Sequence, residues 1–400
     1  MPATKTDWAA LEERYYMRTF KRLPVVFERG EGCYLYDDEG KPYLDLVSGI
    51  AVNIVGHAHP RVVEAIAQQA ARLMHTSSLY YSEPQLQLAE WLIERSPADR
   101  IFFANSGAEA NEGAIKLARK HGRTYRNGAY EVITVGGSFH GRTLATLAAT
   151  AQPKYHEPFL PMPDGFKYVA FNDIEAMRAA VSDKTAAIML ECIQGESGVH
   201  PHTAEYLQAV RRLCDEQGLL LICDEIQCGL GRTGAFYGFQ QFGIEPDVIT
   251  LAKGLAGGLP IGAFLAKERC AVLTPGDHGS TMGGNPVCCA AAVATMHCLE
   301  EEHLIENAAS TGEALIAELR NLKETVPGIA EVRGLGLMVA FDTTEDVAFE
   351  LVSEGLRRGV VVNATGPCTI RLVPPLILNE GQVEKGVGMI ADSLKAVSGP

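Results

Sequence analysis

The chain has 400 residues, 47% of them hydrophobic and 21% charged, so it is long enough for more than one core and ordinary in composition for a globular protein. With 35 basic against 49 acidic residues its formal charge is −14, which repels nucleic-acid phosphates and anionic membranes and sets both aside as partners. Any anionic substrate must then be met by specific arginines.

The opening stretch MPATKTDWAALEERYY lacks an apolar segment and carries Glu12 and Glu13, so no secretory leader is expected. No run approaches the roughly 18 apolar residues of a membrane-spanning helix. The ten cysteines form no C-x-x-C pair, and several lie in apolar runs, as Cys223 does in LLLICDE. Reduced, buried thiols in a cytoplasmic protein are the expectation.

Taken in chain order, residues 1–55 contain GCYLYDDEGKPYLDL, a hairpin signal around Asp38-Glu39-Gly40. This segment is expected to pack with the C-terminal part. Residues 56–300 read as a large α/β domain, in which short apolar runs alternate with helical patterns. RIFFA (100–104) precedes the helix-like AEANEGAIKLARKHG, with Gly122 as its stop. EVITV (131–135) precedes GGSFHG and the helix-like RTLATLAAT, and TAAIMLE (185–191), LLLIC (219–223), DVITLA (247–252) and IGAFLA (261–266) follow. TAEYLQAVRRLCDEQG has helical spacing. Buried strands alternating with helices predict a mostly parallel central sheet covered on both faces. Residues 301–400 change texture: helical stretches at 285–300 and 305–325 lead into short strands at 329–342, 359–363 and 369–373, a smaller α+β domain.

In open parallel sheets ligands sit at the carboxyl ends of the strands, so the residues after each run matter most. RIFFA leads into NSGAEANE, where Ser106-Gly107-Ala108 open a helix whose free amides suit a phosphate; an ordinary Ser cap is the plain alternative. EVITV leads to Phe139, His140 and Arg142; TAAIMLE to Glu191 and Glu196; LLLIC to Asp224 and Gln227; DVITLA to Lys253. A lone lysine after a strand usually just reaches for water. In this company it has another use, because pyridoxal phosphate needs all these parts. Its aldehyde forms a Schiff base with a lysine, its ring nitrogen needs a carboxylate, its phosphate needs backbone donors, and its flat ring needs a stacking face.

Other signals weigh less. GLGRTG (229–234) matches G-x-G-x-x-G, but polar DEIQ separates it from the strand and AFYGFQQFG is a poor helix opening, so a nicotinamide site is not favoured. His57 and His59 in GHAHP have no obvious third ligand, so they read as a turn and no metal is expected.

The ordered motifs NSGAEANE, SFHGRT, ECIQGESG, CDEIQCGLGRTG, LAKGLAGGLP and HGSTMGGNP resemble the class III aminotransferases, which are fold-type I pyridoxal 5'-phosphate enzymes. GEGCYLYDDEGKPYLDLVSGIAVNIVGHAHP and IRLVPPL extend the resemblance over nearly the whole chain. SGIAVN and LYYSEPQLQLAEWL (79–92) look most like the branch that transaminates N2-acetylornithine in arginine biosynthesis. The resemblance implies Lys253 as the Schiff-base lysine, Asp224 as partner of the ring nitrogen, Gln227 near the phenolic oxygen, and Phe139 stacked on the ring. It implies Ser106, Gly107 and Ala108 around the phosphate, with Thr281 reaching the same phosphate in a neighbouring subunit of a homodimer. Arg142 and Ser280 would contact the acylated amine. Arg371 would bind the α-carboxylate of glutamate, and Glu196 would pair with Arg371 when the other donor is bound. Met282 and Ala108 depart from the common Phe and Thr without removing a required group.

Sister enzymes acting on succinylornithine, ornithine, 4-aminobutyrate or a lysine-pathway amine would share the cofactor residues. Ile50 stands where ornithine enzymes carry a substrate-binding tyrosine, which argues against free ornithine.

Overall fold

The computed structural model describes residues 7–397. Met1–Thr6, the start of the stretch read for a leader, and residues 398–400 lie outside the described residues. Among those described, no helix is long and apolar enough to cross a membrane.

A seven-stranded sheet runs through the middle of the chain. Its strands are Arg100–Ala104 (β1), Glu131–Val135 (β2), Phe166–Val169 (β3), Thr185–Leu190 (β4), Leu220–Asp224 (β5), Val248–Leu251 (β6) and Gly262–Ala266 (β7). They lie in the order β1-β7-β6-β5-β4-β2-β3. β4, β5 and β6 pair in parallel, as do β2, β3 and β4. Their continuous apolar character follows from position: every residue of β4, β5 and β6 is buried.

Two details differ from the sequence reading. β7 runs antiparallel to both β6 and β1. The β6–β7 link, residues 252–261, holds a single 3-10 turn at Lys253–Ala256 and no α-helix, whereas a parallel return needs a crossover of about a dozen residues or more, usually helical. The edge strand β3 was not foreseen, since FKYV buries only Val169 and carries no apolar run.

Three helices matter below: Pro60–Arg72 (α1), Gly107–Tyr125 (α2) and Pro286–Glu301 (α3). α2 does not stop at Gly122. A Cβ there would stand 2.1 Å from the Ala129 carbonyl oxygen, so this glycine lets the turn after the helix fold back against it.

The N-terminal hairpin forms around Asp37, whose Oδ1 accepts from the amides of Glu39 (3.0 Å) and Lys41 (2.9 Å). Its strands Tyr34–Asp37 and Pro42–Asp45 share a sheet with Val360–Val361, which pairs with Leu44 and Asp45. Ile329–Leu335, Met338–Thr343, Asn363–Ala364 and Thr369–Leu372 make a separate antiparallel sheet. All ten cysteines are free thiols, eight buried and two half-buried.

Candidate active site

The loops leaving the carboxyl ends of β1, β2, β4, β5 and β6 converge on a cavity of about 430 Å³. Ser106, Gly107, Ala108, Phe139, Arg142, Glu196, Asp224, Gln227 and Lys253 all line it.

Asp224 closes β5 and forms the floor. It is 3% exposed. Its Oδ2 accepts from Asn111 Nδ2 at 2.8 Å and lies 2.8 Å from His140 Nδ1, while Oδ1 accepts from the Ile226 amide at 3.1 Å. Asn111 Nδ2 also donates to the His140 carbonyl at 2.7 Å, so α2 and the loop after β2 are tied to the same carboxylate. Above it, the buried Glu191 accepts from the amides of Phe139 (2.9 Å) and Gly195 (3.2 Å). Burial outweighs the nearby His140, and with Asp224 beside it the Glu191 carboxyl is pushed up to about 7.

Lys253 leaves β6 beside Asp224, whose register partner is Thr250. Its φ of +40° is left-handed, a conformation that costs a non-glycine residue about 1 kcal/mol or more. The backbone then turns tightly against Ile54, where a Cβ on Gly254 would come within 2.7 Å. Burial lowers the Lys253 pKa from the ordinary lysine value; Glu196 opposes this and Arg371 adds to it. A neutral amine is thereby easier to reach.

On the opposite side the wall is Glu196 and Gln227, backed by a buried cation. Arg371, on the strand Thr369–Leu372, is 1% exposed. Its Nη1 donates to Glu196 Oε1 (2.6 Å), Gln227 Oε1 (3.1 Å) and the Gly195 carbonyl (3.3 Å), and its Nε and Nη2 to Asn363 Oδ1 (3.2 and 2.7 Å). Gln227 Nε2 donates to Glu196 Oε1 at 3.1 Å. Burial raises the Glu196 carboxyl, but the positive charges of Arg371 and Lys253 hold it below the ordinary glutamate value.

Where the start of α2 meets the cavity, Ser106 caps the helix by accepting from the Glu109 amide at 3.2 Å. Glu109 reaches back to the Asn105 amide at 2.7 Å. The first amides of a helix have no intrahelical acceptor and carry the positive end of its dipole. Gly107 packs closely there, since a Cβ would stand 2.8 Å from the end of the Ile226 side chain and displace it. The exposed Arg142 lies over the rings of Tyr155 (4.3 Å) and Phe139 (5.3 Å) at the rim.

Ser280 and Thr281 are not brought to this cavity. Both line a separate cavity of about 400 Å³ with Phe102, Glu109 and His278, and Ser280 Oγ accepts from Asn105 Nδ2 at 3.1 Å. Ile50 lies in the left-handed run Ser48–Ala51, just before Val52, which does line the main cavity. Sequence reasoning missed Asn111, Asn363 and Tyr155. Asn111 sits one helical turn from Gly107 and Ala108, a spacing that could have flagged it; nothing local marks Asn363. GLGRTG is followed by no α-helix, and Arg232 is buried, donating to the carbonyls of Leu337 (2.9 Å) and Pro374 (2.5 Å).

A lysine, a networked aspartate and a helix terminus around one cavity suit an enzyme that holds pyridoxal phosphate. The chain belongs to the class-III aminotransferases, whose family model matches residues 15–394. Among similar proteins, the acetylornithine aminotransferase of Methanocaldococcus jannaschii is 50% identical over 95% of this chain and 96% of its own length. The acetylornithine aminotransferase of Gloeobacter violaceus is 52% identical over 94% and 95%. The crystal structure of the ornithine aminotransferase from Toxoplasma gondii superposes with a TM-score of 0.95 at 32% identity, covering 99% of this chain and 96% of that one.

Proposed function

We propose that the chain is a pyridoxal 5'-phosphate-dependent transaminase. It exchanges the δ-amino group of N2-acetyl-L-ornithine with 2-oxoglutarate and glutamate, as arginine biosynthesis requires, and acts as a cytoplasmic homodimer. The observation that carries the substrate reading is the buried Arg371 paired at 2.6 Å with Glu196, which lines the cavity that holds Lys253 and stands between the two.

The residues present fit the cofactor. Its phosphate has the amides of Gly107 and Ala108 at a 19-residue helix, its ring nitrogen has Asp224, and its flat face has Phe139. When bound, the cofactor supplies a carbonyl carbon and an electron-withdrawing ring through which an amino group can be transferred. Lys253 Nζ supplies the base: burial favours its neutral form, so it can take a proton from the substrate carbon and return it. Asn111 and the Ile226 amide donate to Asp224 and hold its carboxyl group toward the ring.

Glutamate and N2-acetylornithine present different charges near their reacting carbons. Glutamate's α-carboxylate suits the Arg371 fork, displacing Glu196. The acetylated amine has no carboxylate on its reacting carbon, so a buried Arg371 would be left unpaired, a costly state. Return of Glu196 removes that cost. Arg142 at the rim is placed to meet the far carboxylate, and Ile50 in place of a tyrosine argues against free ornithine. Thr281, set apart from its own chain's cavity, suits delivery to a neighbouring subunit.

The test is a half-reaction without oxo-acid, read as loss of the bound cofactor's absorbance. Glutamate and N2-acetylornithine should react fast, and ornithine and 4-aminobutyrate slowly. Fast reaction with succinylornithine or another amine instead would move the substrate within the class. A colourless protein that takes up no cofactor would overturn the assignment.

A further inference from the structure

The two histidines of GHAHP part company in the fold. His57 Nε2 pairs with Asp45 at 2.7 Å. His59, at the cap of α1, turns instead toward the end of α3. Its Nε2 lies 3.1 Å from Glu302 Oε1 and its Nδ1 lies 3.6 Å from Cys298 Sγ. Cys298 and Glu302 are one helical turn apart, on the last turn and the cap of α3. One ligand atom from each of the three residues lies within 4.8 Å of the other two.

We propose that His59, Cys298 and Glu302 form a zinc site that fastens the start of α1 to the end of α3. A thiolate, an imidazole and a carboxylate make the mixed sulfur, nitrogen and oxygen set that zinc takes, while calcium and magnesium take oxygen alone. Zinc bonds of about 2.0–2.3 Å in tetrahedral array hold ligand atoms about 3.5 Å apart. One ion takes one imidazole nitrogen, so His59 binds through Nδ1, which already faces Cys298, the exposed Glu302 swings from Nε2 to join them, and water fills the fourth position. The charges balance: one thiolate and one carboxylate offset the two positive charges of the ion.

The surroundings agree. Arg61 of α1 donates to Glu301 at 2.8 Å, while the carboxylate of Glu302 faces His59. Without metal, burial and the neighbouring Glu302 push the Cys298 thiol up to about 11, so it is protonated. Binding releases that proton to solvent and leaves the thiolate on the ion. None of the three residues lines the cavity described above, so the site is independent of the proposed chemistry. It would join residues 239 positions apart, and a ligand that binds only the folded chain stabilises it by mass action.

The test uses the cofactor-loaded protein, stripped of metal with a chelator and titrated with zinc chloride. The wild type should take up one zinc per chain and unfold at a higher temperature when loaded. Cys298→Ala should weaken uptake by more than the about 10- to 100-fold that loss of an outer partner costs, and should abolish the thermal shift. Glu302→Gln, at an exposed position, should weaken uptake less, and it decides the matter if the cysteine variant fails to fold. No zinc uptake by the wild type, or unchanged uptake by Glu302→Gln and by a folded Cys298→Ala, would overturn the proposal.

Discussion

The two ends of the main cavity hold charge in different ways. At the floor, Asp224 is fixed by Asn111, His140 and a backbone amide, all inside the body of the fold, and its partners have no solvent to turn to. At the wall, Arg371 is just as buried, but its carboxylate partner Glu196 sits on a loop and keeps 24% of its side chain exposed. A fixed network suits a group that stays, such as a bound ring. An exchangeable pair suits groups that come and go, such as substrates of unlike charge. Burial of the central group does not separate these cases; the exposure of its partner does.

Substitutions at the two ends should therefore fail differently. The largest loss belongs to neither end: Lys253→Ala should lower turnover by about a thousandfold or more, with unchanged circular dichroism. Full turnover in that variant would remove the lysine from the chemistry.

At the floor, Asp224→Asn should cost about a hundredfold or more in turnover with every amino donor alike. A loss confined to one substrate would mean that the floor discriminates, contrary to its fixed geometry. At the wall, Arg371→Lys keeps the charge and loses the fork. It should raise the KM for glutamate and 2-oxoglutarate by about tenfold or more while leaving kcat nearer the wild type. Equal loss in both constants would place Arg371 with the floor.

The smallest expected effect lies outside the cavity. Glu225 is buried and accepts from the amides of Gly238 (2.6 Å) and Phe239 (2.9 Å), yet burial pushes its carboxyl from 4.5 up to about 7. Over that window the folded chain keeps a proton that the unfolded chain has lost, so stability falls as the pH rises toward 7. Glu225→Gln should flatten this part of the melting-temperature profile. A slope identical to wild type would assign the pH dependence elsewhere, Glu191 first.

Much of the fold was legible because buried parallel strands are written as short unbroken apolar runs: β1, β2, β4, β5, β6 and β7 lie within a residue or so of where those runs fall. The edge strand β3 was not, because pairing on one side leaves it partly polar. Most cavity residues could be read because they directly follow strands. Asn111 left only its helical spacing from Gly107 as a signal, and Asn363 left none, since its contact with Arg371 is tertiary. The set-apart position of Ser280 and Thr281 likewise depends on how the chain returns past β1, which no local pattern records.

If Glu196 is the exchangeable partner of Arg371, single-turnover half-reactions of Glu196→Gln will separate the two donors. A loss with N2-acetylornithine of about tenfold or more relative to glutamate is expected, with glutamate held or improved because its carboxylate no longer has to displace a charge. Equal losses with both donors would contradict it and make Glu196 a fixed part of the wall.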